Sequence, residues 1–98
     1  MALAEISVIP IGTPSSSIGE WVAKSVKATK KSRVKYELGP MCTVLEGKLP
    51  EILAAAKKMH ETAFNNGIKR AITTVVIDDR RDKEVTLKSK VTSLKRRL

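Results

Sequence analysis

The sequence predicts a single α+β domain, residues 1–98, with four strands and three helices. Three observations lead to this prediction. Four apolar segments have the length of β-strands, three others repeat their apolar residues at helical spacing, and glycine, proline or asparagine separates most of them. The composition, with 42% hydrophobic residues in 98, is that of an ordinary globular domain.

The first strand and the first helix occupy the N-terminal third of the chain. Residues 3–11, LAEISVIPI, form strand one. Ser17 and Glu20 have the spacing of a capping box, in which the serine oxygen accepts a hydrogen bond from a free main-chain N–H group. The helix should end near Lys31, and its apolar residues at helical spacing are Ile18, Trp21, Val22 and Val26.

Strands two and three, at about residues 34–38 and 41–46, meet at Gly39-Pro40. Proline fixes φ and cannot donate to a ladder, so these two residues predict a tight corner. Pro50 and Glu51 suit the first turn of helix two, and Asn65-Asn66-Gly67 supplies a left-handed stop. The predicted buried face of this helix is Ile52, Ala55, Ala56, Met59, Ala63 and Phe64.

Strand four comprises residues 70–78, and a last helix begins near Lys83. Its apolar stripe is Leu87, Val91, Leu94 and Leu98. The resulting order, β-α-β-β-α-β-α, specifies a ferredoxin-like βαββαβ sandwich with an added C-terminal helix. Two helices cover one face of its four-stranded antiparallel sheet.

The second face of the predicted sheet is too apolar to be solvated. Strands one and four have apolar residues on both sides, whereas a solvated face should be polar at alternate positions. We therefore expect another subunit to cover this face. The third helix, which is amphipathic, could cover part of it instead.

The charge and the cysteine and histidine content bear on which classes of function are possible. The net charge is +9, which attracts polyanions such as RNA, and smaller anions such as phosphate or sulfate, without specifying any of them. Strands one, three and four lack the aromatic residues on which RNA-recognition domains stack bases.

One cysteine and one histidine cannot form a closed metal site, and the sequence shows no nucleophile–base pair or phosphate loop. We expect no cofactor and no catalysis. A lone cysteine and an N-terminus without a basic n-region predict a cytoplasmic protein.

Several motifs occur in the order and spacing typical of one family. They are VIPIGT from Val8, YELGPM and TVLEG around Pro40, MHE from Met59, TTVVIDDRRDK from Thr73 and KVTSL near the end. On these residues the chain resembles the small thiamine-binding protein family, the YkoF-like group of about a hundred residues. The resemblance implies a ferredoxin-like fold, sheet-to-sheet association into dimers and tetramers, and binding of thiamine or its hydroxymethylpyrimidine moiety by a carrier, buffer or sensor. Glycine usually stands in the family where this chain has Cys42, whose side chain would narrow any pocket that it faced.

The resemblance gives roles to a cluster of residues on strands two and three. The carboxylates of Glu37 and Glu46 could accept hydrogen bonds from an aminopyrimidine or neutralise a thiazolium ring, or each could pair with a lysine. Thr43 could hydrogen-bond the ligand, although threonine is also a good strand former. Tyr36 could stack on a heterocycle or pack in the core.

The remaining predicted ligand-binding residues lie at element ends. N–H groups beside Ser17 could hold an anion at the start of helix one. We assign Arg70, Asp78 and Arg80 to the charged end of strand four, where they could bind a ligand or belong to an ion-pair network, since arginine suits carboxylate and phosphate alike. For Asp79 and Arg81 we expect a structural ion-pair network that locks the strand to the last helix or to a neighbouring subunit.

Overall fold

The computed structural model describes residues 1–14, 16–30 and 32–98. Its elements are β1 (Ala2–Ile11), α1 (Gly19–Lys27), β2 (Lys35–Leu38), β3 (Thr43–Gly47), α2 (Leu49–Thr62), a 3-10 turn (Ala63–Asn66), β4 (Arg70–Asp78) and α3 (Leu87–Lys95). The strand order is β2-β3-β1-β4, and every neighbouring pair is antiparallel. The ferredoxin-like α+β fold with a third helix is confirmed.

The core lies between α2 and the sheet. Ala4 pairs with Leu45 and Ile6 with Thr43, so these residues share the face that the helices cover. Leu45 and Ile52 are completely buried, and Met59 lies 2% exposed beside them. Aliphatic burial of this kind stabilises the fold by about 25 cal/mol for each Å² of apolar surface removed from water.

The opposite side of the sheet, called the open face below, carries the alternate residues of each strand. It comprises Lys35, Glu37, Val44, Glu46, Leu3, Glu5, Ser7, Ile9, Ile11, Arg70, Ile72, Thr74, Val76 and Asp78. The start of α3 lies over one end of this face, where Leu3 stands between Glu46 and Asp78 and is buried. Farther along, Ile9, Ile72 and Val76 remain 44%, 47% and 51% exposed.

Helix boundaries differ from the prediction at three points. α1 begins at Gly19 with Ile18 at the N-cap, so Ser17 lies one residue before the cap position that the capping box requires. α1 ends at Lys27 rather than near Lys31, which lies outside the described residues. α3 begins at Leu87 rather than near Lys83, because Thr86 and Ser89 form a reciprocal capping box there.

Phe64 was wrongly assigned to the buried face of α2. The helix ends at Thr62, and Phe64 falls in the 3-10 turn, where it is 38% exposed and meets the His60 ring edge-on at a centroid distance of 5.3 Å. Gly67 has a φ of +79°, which confirms the predicted left-handed stop.

Candidate ligand-binding site

The predicted ligand-binding residues do not all line one cavity. Because side chains alternate along a strand, Tyr36 and Thr43 lie on the helix-covered face, whereas Glu37 and Glu46 lie on the open face. Tyr36 is half-buried against the core, and Glu37 is exposed on the short edge strand β2. The sheet itself therefore separates the members of the predicted cluster.

Three of the predicted residues already have partners within the chain. The Glu46 carboxylate accepts a hydrogen bond of 2.8 Å from the main-chain N–H of Leu87. Lys90 forms an ion pair with Asp78, and the Arg80 guanidinium donates two hydrogen bonds to Asp82. These contacts dock α3 on the sheet and order the loop that follows β4.

Arg70 and Asp78 lie at opposite ends of β4. Eight residue steps along a strand separate them by roughly 27 Å, so they do not share a site within one copy of the chain. Ser17 is exposed and directly precedes Ile18, which lines the cavity described next.

A cleft of about 480 Å³ lies between α1, β1 and the corner that joins β2 to β3; we call it the α1 cleft. Its walls are largely aliphatic. The lining residues are Ile6, Ser7, Val8, Ile9, Ile18, Val22, Ser25, Val26, Leu38, Gly39, Pro40, Met41, Cys42, Thr43 and Met59. Of the predicted ligand-binding residues in the described part of the chain, Thr43 alone belongs to this wall.

The α1 cleft exists because β1 is longer than its neighbour. Pairing of β1 with β3 ends at Ile6 and Thr43, but β1 continues to Ile11. Over residues 7–11 the described strands pair with β1 on the β4 side alone. Residues 7–9 of this segment line the cleft, so the main chain of β1 borders it without a strand partner on that side. An edge of this kind presents main-chain N–H and C=O groups that a ligand can contact.

A smaller depression of about 260 Å³ on the open face adjoins the α1 cleft. It is lined by Glu5, Ser7, Met41, Cys42 and Thr74. Ser7, Met41 and Cys42 line both spaces, and the Cys42 Sγ lies 3.9 Å from a Glu5 carboxylate oxygen. Together, the α1 cleft and this depression place the Glu5 carboxylate beside an aliphatic cavity, on the open-face side.

Sequence reasoning missed Glu5. One signal could have found it, since Glu5 is the single charged residue in LAEISVIPI and strand alternation places it on the open face. Cys42 borders both spaces, so its side chain occupies room that a glycine would leave free.

A third depression, of about 540 Å³, lies between the N-terminus and the loop after β4 and includes Arg80 and Lys48. Acidic and basic side chains are mixed in this loop, from Asp79 to Glu84. Asp79 and Arg81 form an ion pair with each other at 2.9 Å within the loop, and the hydrogen bond from Arg81 lowers the pKa of the Asp79 carboxyl. In the same way, Arg80 lowers the pKa of Asp82.

Among the described residues, no group of three or more His, Cys, Asp or Glu side chains is placed to hold a metal ion. None of the helices in the described ranges is long and apolar enough to cross a membrane.

Comparison with known proteins identifies the family. A family model described as "Thiamine-binding protein" matches residues 4–95. The chain belongs to the Thiamine-binding protein family. This family member is 44% identical over 99 positions to a UPF0045 protein of Methanothermobacter thermautotrophicus, with all of both chains covered. It is 40% identical over 102 positions to UPF0045 protein YqgV of Bacillus subtilis, covering 100% of this chain and 98% of that protein.

A solved structure matches this Thiamine-binding protein family member closely. The crystal structure of protein MJ1052 of Methanocaldococcus jannaschii superposes with a TM-score of 0.90 at 39% identity, covering 96% of this chain and 95% of that one. The resemblance that the sequence motifs indicated is therefore confirmed. Membership points to a small molecule as the kind of ligand that the chain binds.

Proposed function

We propose that this protein is a non-catalytic binding protein for thiamine or its hydroxymethylpyrimidine moiety, which occupies the α1 cleft, and that it acts as a carrier, buffer or sensor within an oligomer. The observation that carries the proposal is the aliphatic cleft beside the part of β1 that has no strand partner on that side. Family membership supports the ligand class.

The size and lining of the α1 cleft suit a flat heterocycle. Small-molecule sites commonly enclose about 300–1,000 Å³ and combine apolar walls with a few polar groups. At about 480 Å³ the cleft falls in this range, and Val22, Leu38 and Met59 contribute apolar surface. In the cleft, the faces of an aromatic ring would contact these apolar side chains instead of water.

Polar recognition of an aminopyrimidine requires donors and acceptors at the ring edge. The main chain of β1 at residues 7–9, which borders the cleft without a strand partner on that side, supplies such groups, and the Thr43 hydroxyl adds one that can donate or accept. Strand backbone is a rigid support, so these groups are held in position before the ligand arrives.

The Glu5 carboxylate suits the second ring of thiamine. A thiazolium ring carries a positive charge, and Glu5 lies in the adjoining depression that shares Ser7, Met41 and Cys42 with the α1 cleft. In this arrangement the pyrimidine ring enters the cleft and the thiazolium ring lies beside Glu5. Hydroxymethylpyrimidine, which lacks the cation, would use the cleft alone.

An oligomer would complete the site from the open face. Ile9, Ile72 and Val76 are about half exposed there, and Val91 and Leu94 of α3 are 51% and 60% exposed. The radius of gyration is 14.5 Å, against about 13 Å for a compact chain of this length. We propose that a second copy covers the open face. The ligand contacts predicted for Glu37, Glu46, Arg70, Asp78 and Arg80 stay predictions, and for those on the open face they depend on this covering copy.

Calorimetry with thiamine, hydroxymethylpyrimidine and the thiamine phosphates tests the ligand. Val22→Phe fills the mouth of the α1 cleft and should weaken both thiamine and hydroxymethylpyrimidine at least tenfold. Ala23→Phe, on the next and exposed residue of α1, is the matched control and should change neither affinity. Because Val22 is itself 41% exposed, the larger side chain should not prevent folding.

Glu5→Gln separates the two parts of the proposed site. It should weaken thiamine several-fold and leave hydroxymethylpyrimidine unchanged, whereas Glu61→Gln on the exposed surface of α2 should affect neither. Ligand recovered chemically unchanged after long incubation is the result expected of a non-catalytic protein. Absence of heat and of a thermal shift with every ligand would reject the proposal. Salt-sensitive RNA or phosphate binding in its place would favour the electrostatic alternative.

A further inference from the structure

The α1 cleft and the depression on the open face are separate spaces that meet at a common boundary. The described residues that line both spaces are Ser7, Met41 and Cys42. The cleft side of this boundary is aliphatic, whereas the depression adds the polar side chains of Glu5 and Thr74. A ligand that uses both spaces must therefore pass across the boundary.

The Cys42 side chain obstructs this passage. It is half-buried, and its thiol donates a weak hydrogen bond to the Glu5 carboxylate, with 3.9 Å between the Sγ and the oxygen. Non-bonded atoms pack about 3.5–4.0 Å apart, so a ring lying between these two atoms would need a gap of roughly 7 Å. Met41 is 88% exposed, and its flexible side chain can turn into solvent. A second ring therefore meets the Cys42 thiol first.

The main chain on either side of this contact is held in place. Glu5 lies in the central strand β1, where it pairs with Val44 of β3 and with Val76 of β4. The carbonyl of Cys42 accepts a hydrogen bond of 2.9 Å from the N–H of Gly39. The passage therefore opens by rotation of a side chain, which breaks the contact between thiol and carboxylate. Movement of the Glu5 side chain would also remove the group that suits a cation.

We propose that the α1 cleft prefers a single uncharged aminopyrimidine ring to the two-ring thiamine, and that Cys42 determines this preference, which rests on the function proposed above. Hydroxymethylpyrimidine occupies the cleft without disturbing the thiol. Thiamine must displace the thiol before its thiazolium ring lies beside Glu5. Because Glu5 is exposed, water screens its attraction for the cation, so this attraction does not compensate for the displacement. A steric obstacle of this kind is a common source of specificity.

Calorimetry with hydroxymethylpyrimidine and thiamine on a series of variants at position 42 tests the preference. The wild type should bind hydroxymethylpyrimidine at least fivefold more tightly than thiamine. As the side chain becomes smaller in Cys42→Ser, Cys42→Ala and Cys42→Gly, the ratio of the two affinities should shift stepwise toward thiamine, by at least tenfold in total. Circular dichroism and thermal unfolding establish that each variant is folded.

Glu5→Gln in the Cys42→Gly background gives a second readout. Once the passage is open, the thiazolium ring contacts Glu5 directly. The change should therefore weaken thiamine binding by at least a further threefold compared with its effect in the wild type. Glu61→Gln, on the exposed surface of α2, is the matched control and should change neither affinity in either background.

Three results would overturn the preference. The first is tighter binding of thiamine than of hydroxymethylpyrimidine by the wild type, and the second is a ratio that stays constant across the folded variants. The third is a shift with Cys42→Ser as large as that with Cys42→Gly, because the thiol group rather than its size would then be the cause. Absence of binding by both ligands would instead reject the proposed function and, with it, the preference.

Discussion

The carboxylate of Glu46 accepts a hydrogen bond of 2.8 Å from the main-chain N–H of Leu87, the first residue of α3. A carboxylate at this position satisfies one of the free donors of the helix and interacts favourably with its dipole. Glu46 is 9% exposed, so solvent screens the contact only weakly. Glu46, which the sequence analysis predicts as a ligand contact, thus attaches the C-terminal helix to β3.

Removing this carboxylate should loosen α3. Glu46→Ala should lower the free energy of unfolding by about 1–2 kcal/mol, and Glu46→Gln, which keeps an acceptor oxygen, by less. Urea denaturation measures the loss, and hydrogen exchange should show it concentrated in residues 87–95. Weaker thiamine binding with unchanged exchange in α3 would contradict this role and assign Glu46 to the ligand.

Gly39 forms the corner that closes the α1 cleft. Its N–H donates to the Cys42 carbonyl at 2.9 Å, and a Cβ at this position would lie 2.9 Å from the same oxygen. Gly39→Ala should therefore displace the corner, cost about 1–3 kcal/mol of stability and weaken hydroxymethylpyrimidine binding.

Gly19→Ala is the matched control for the corner variant. No atom lies within 4 Å of a Cβ at Gly19, so this change should be neutral or slightly stabilising. Thermal unfolding and calorimetry of both variants make the comparison. Equal stability and affinity for the two would show that the corner has room to relax.

The fold followed from local signals, and the site did not. Strand four was predicted at residues 70–78 and is Arg70–Asp78, because its β-branched run is long and bounded by charges. The position of Phe64 was predicted wrongly because apolar residues continue at helical spacing past Thr62. The main chain nevertheless tightens there into a 3-10 turn. A side-chain period alone does not reveal that change.

The candidate site depends on relations between strands that a sequence does not contain. Glu37 and Thr43 are close in sequence but lie on opposite faces, because the corner at Gly39-Pro40 sets the register that pairs Leu38 with Thr43. The α1 cleft arises from the difference in length between β1 and β3. Glu5 becomes a candidate only when the register brings it beside Cys42.

His60 connects α2 to β4. Its Nδ1 shares a hydrogen bond of 2.6 Å with the Thr73 hydroxyl in a half-buried position. Thr73→Val keeps the shape of the side chain and removes this bond, so the free energy of unfolding should fall by about 1 kcal/mol. Thr74→Val, on the opposite face of the same strand, should change it much less. Equal effects in urea denaturation would mean that the bond contributes nothing to stability.

Asp79 and Arg81 give a prediction for pH. The hydrogen bond from the Arg81 guanidinium lowers the pKa of the Asp79 carboxyl below its ordinary value. A carboxyl with a lowered pKa in the folded state adds stability at pH values above its ordinary pKa, and this contribution is lost as the pH falls through the lowered pKa. Arg81→Gln should therefore raise the pKa of Asp79, as measured by carbon NMR titration of the carboxyl. Asp82, whose pKa is lowered by the hydrogen bond from Arg80 rather than by Arg81, should keep its lowered pKa in the same variant. An Asp79 pKa that stays low without Arg81 would show that the cause lies elsewhere in the loop.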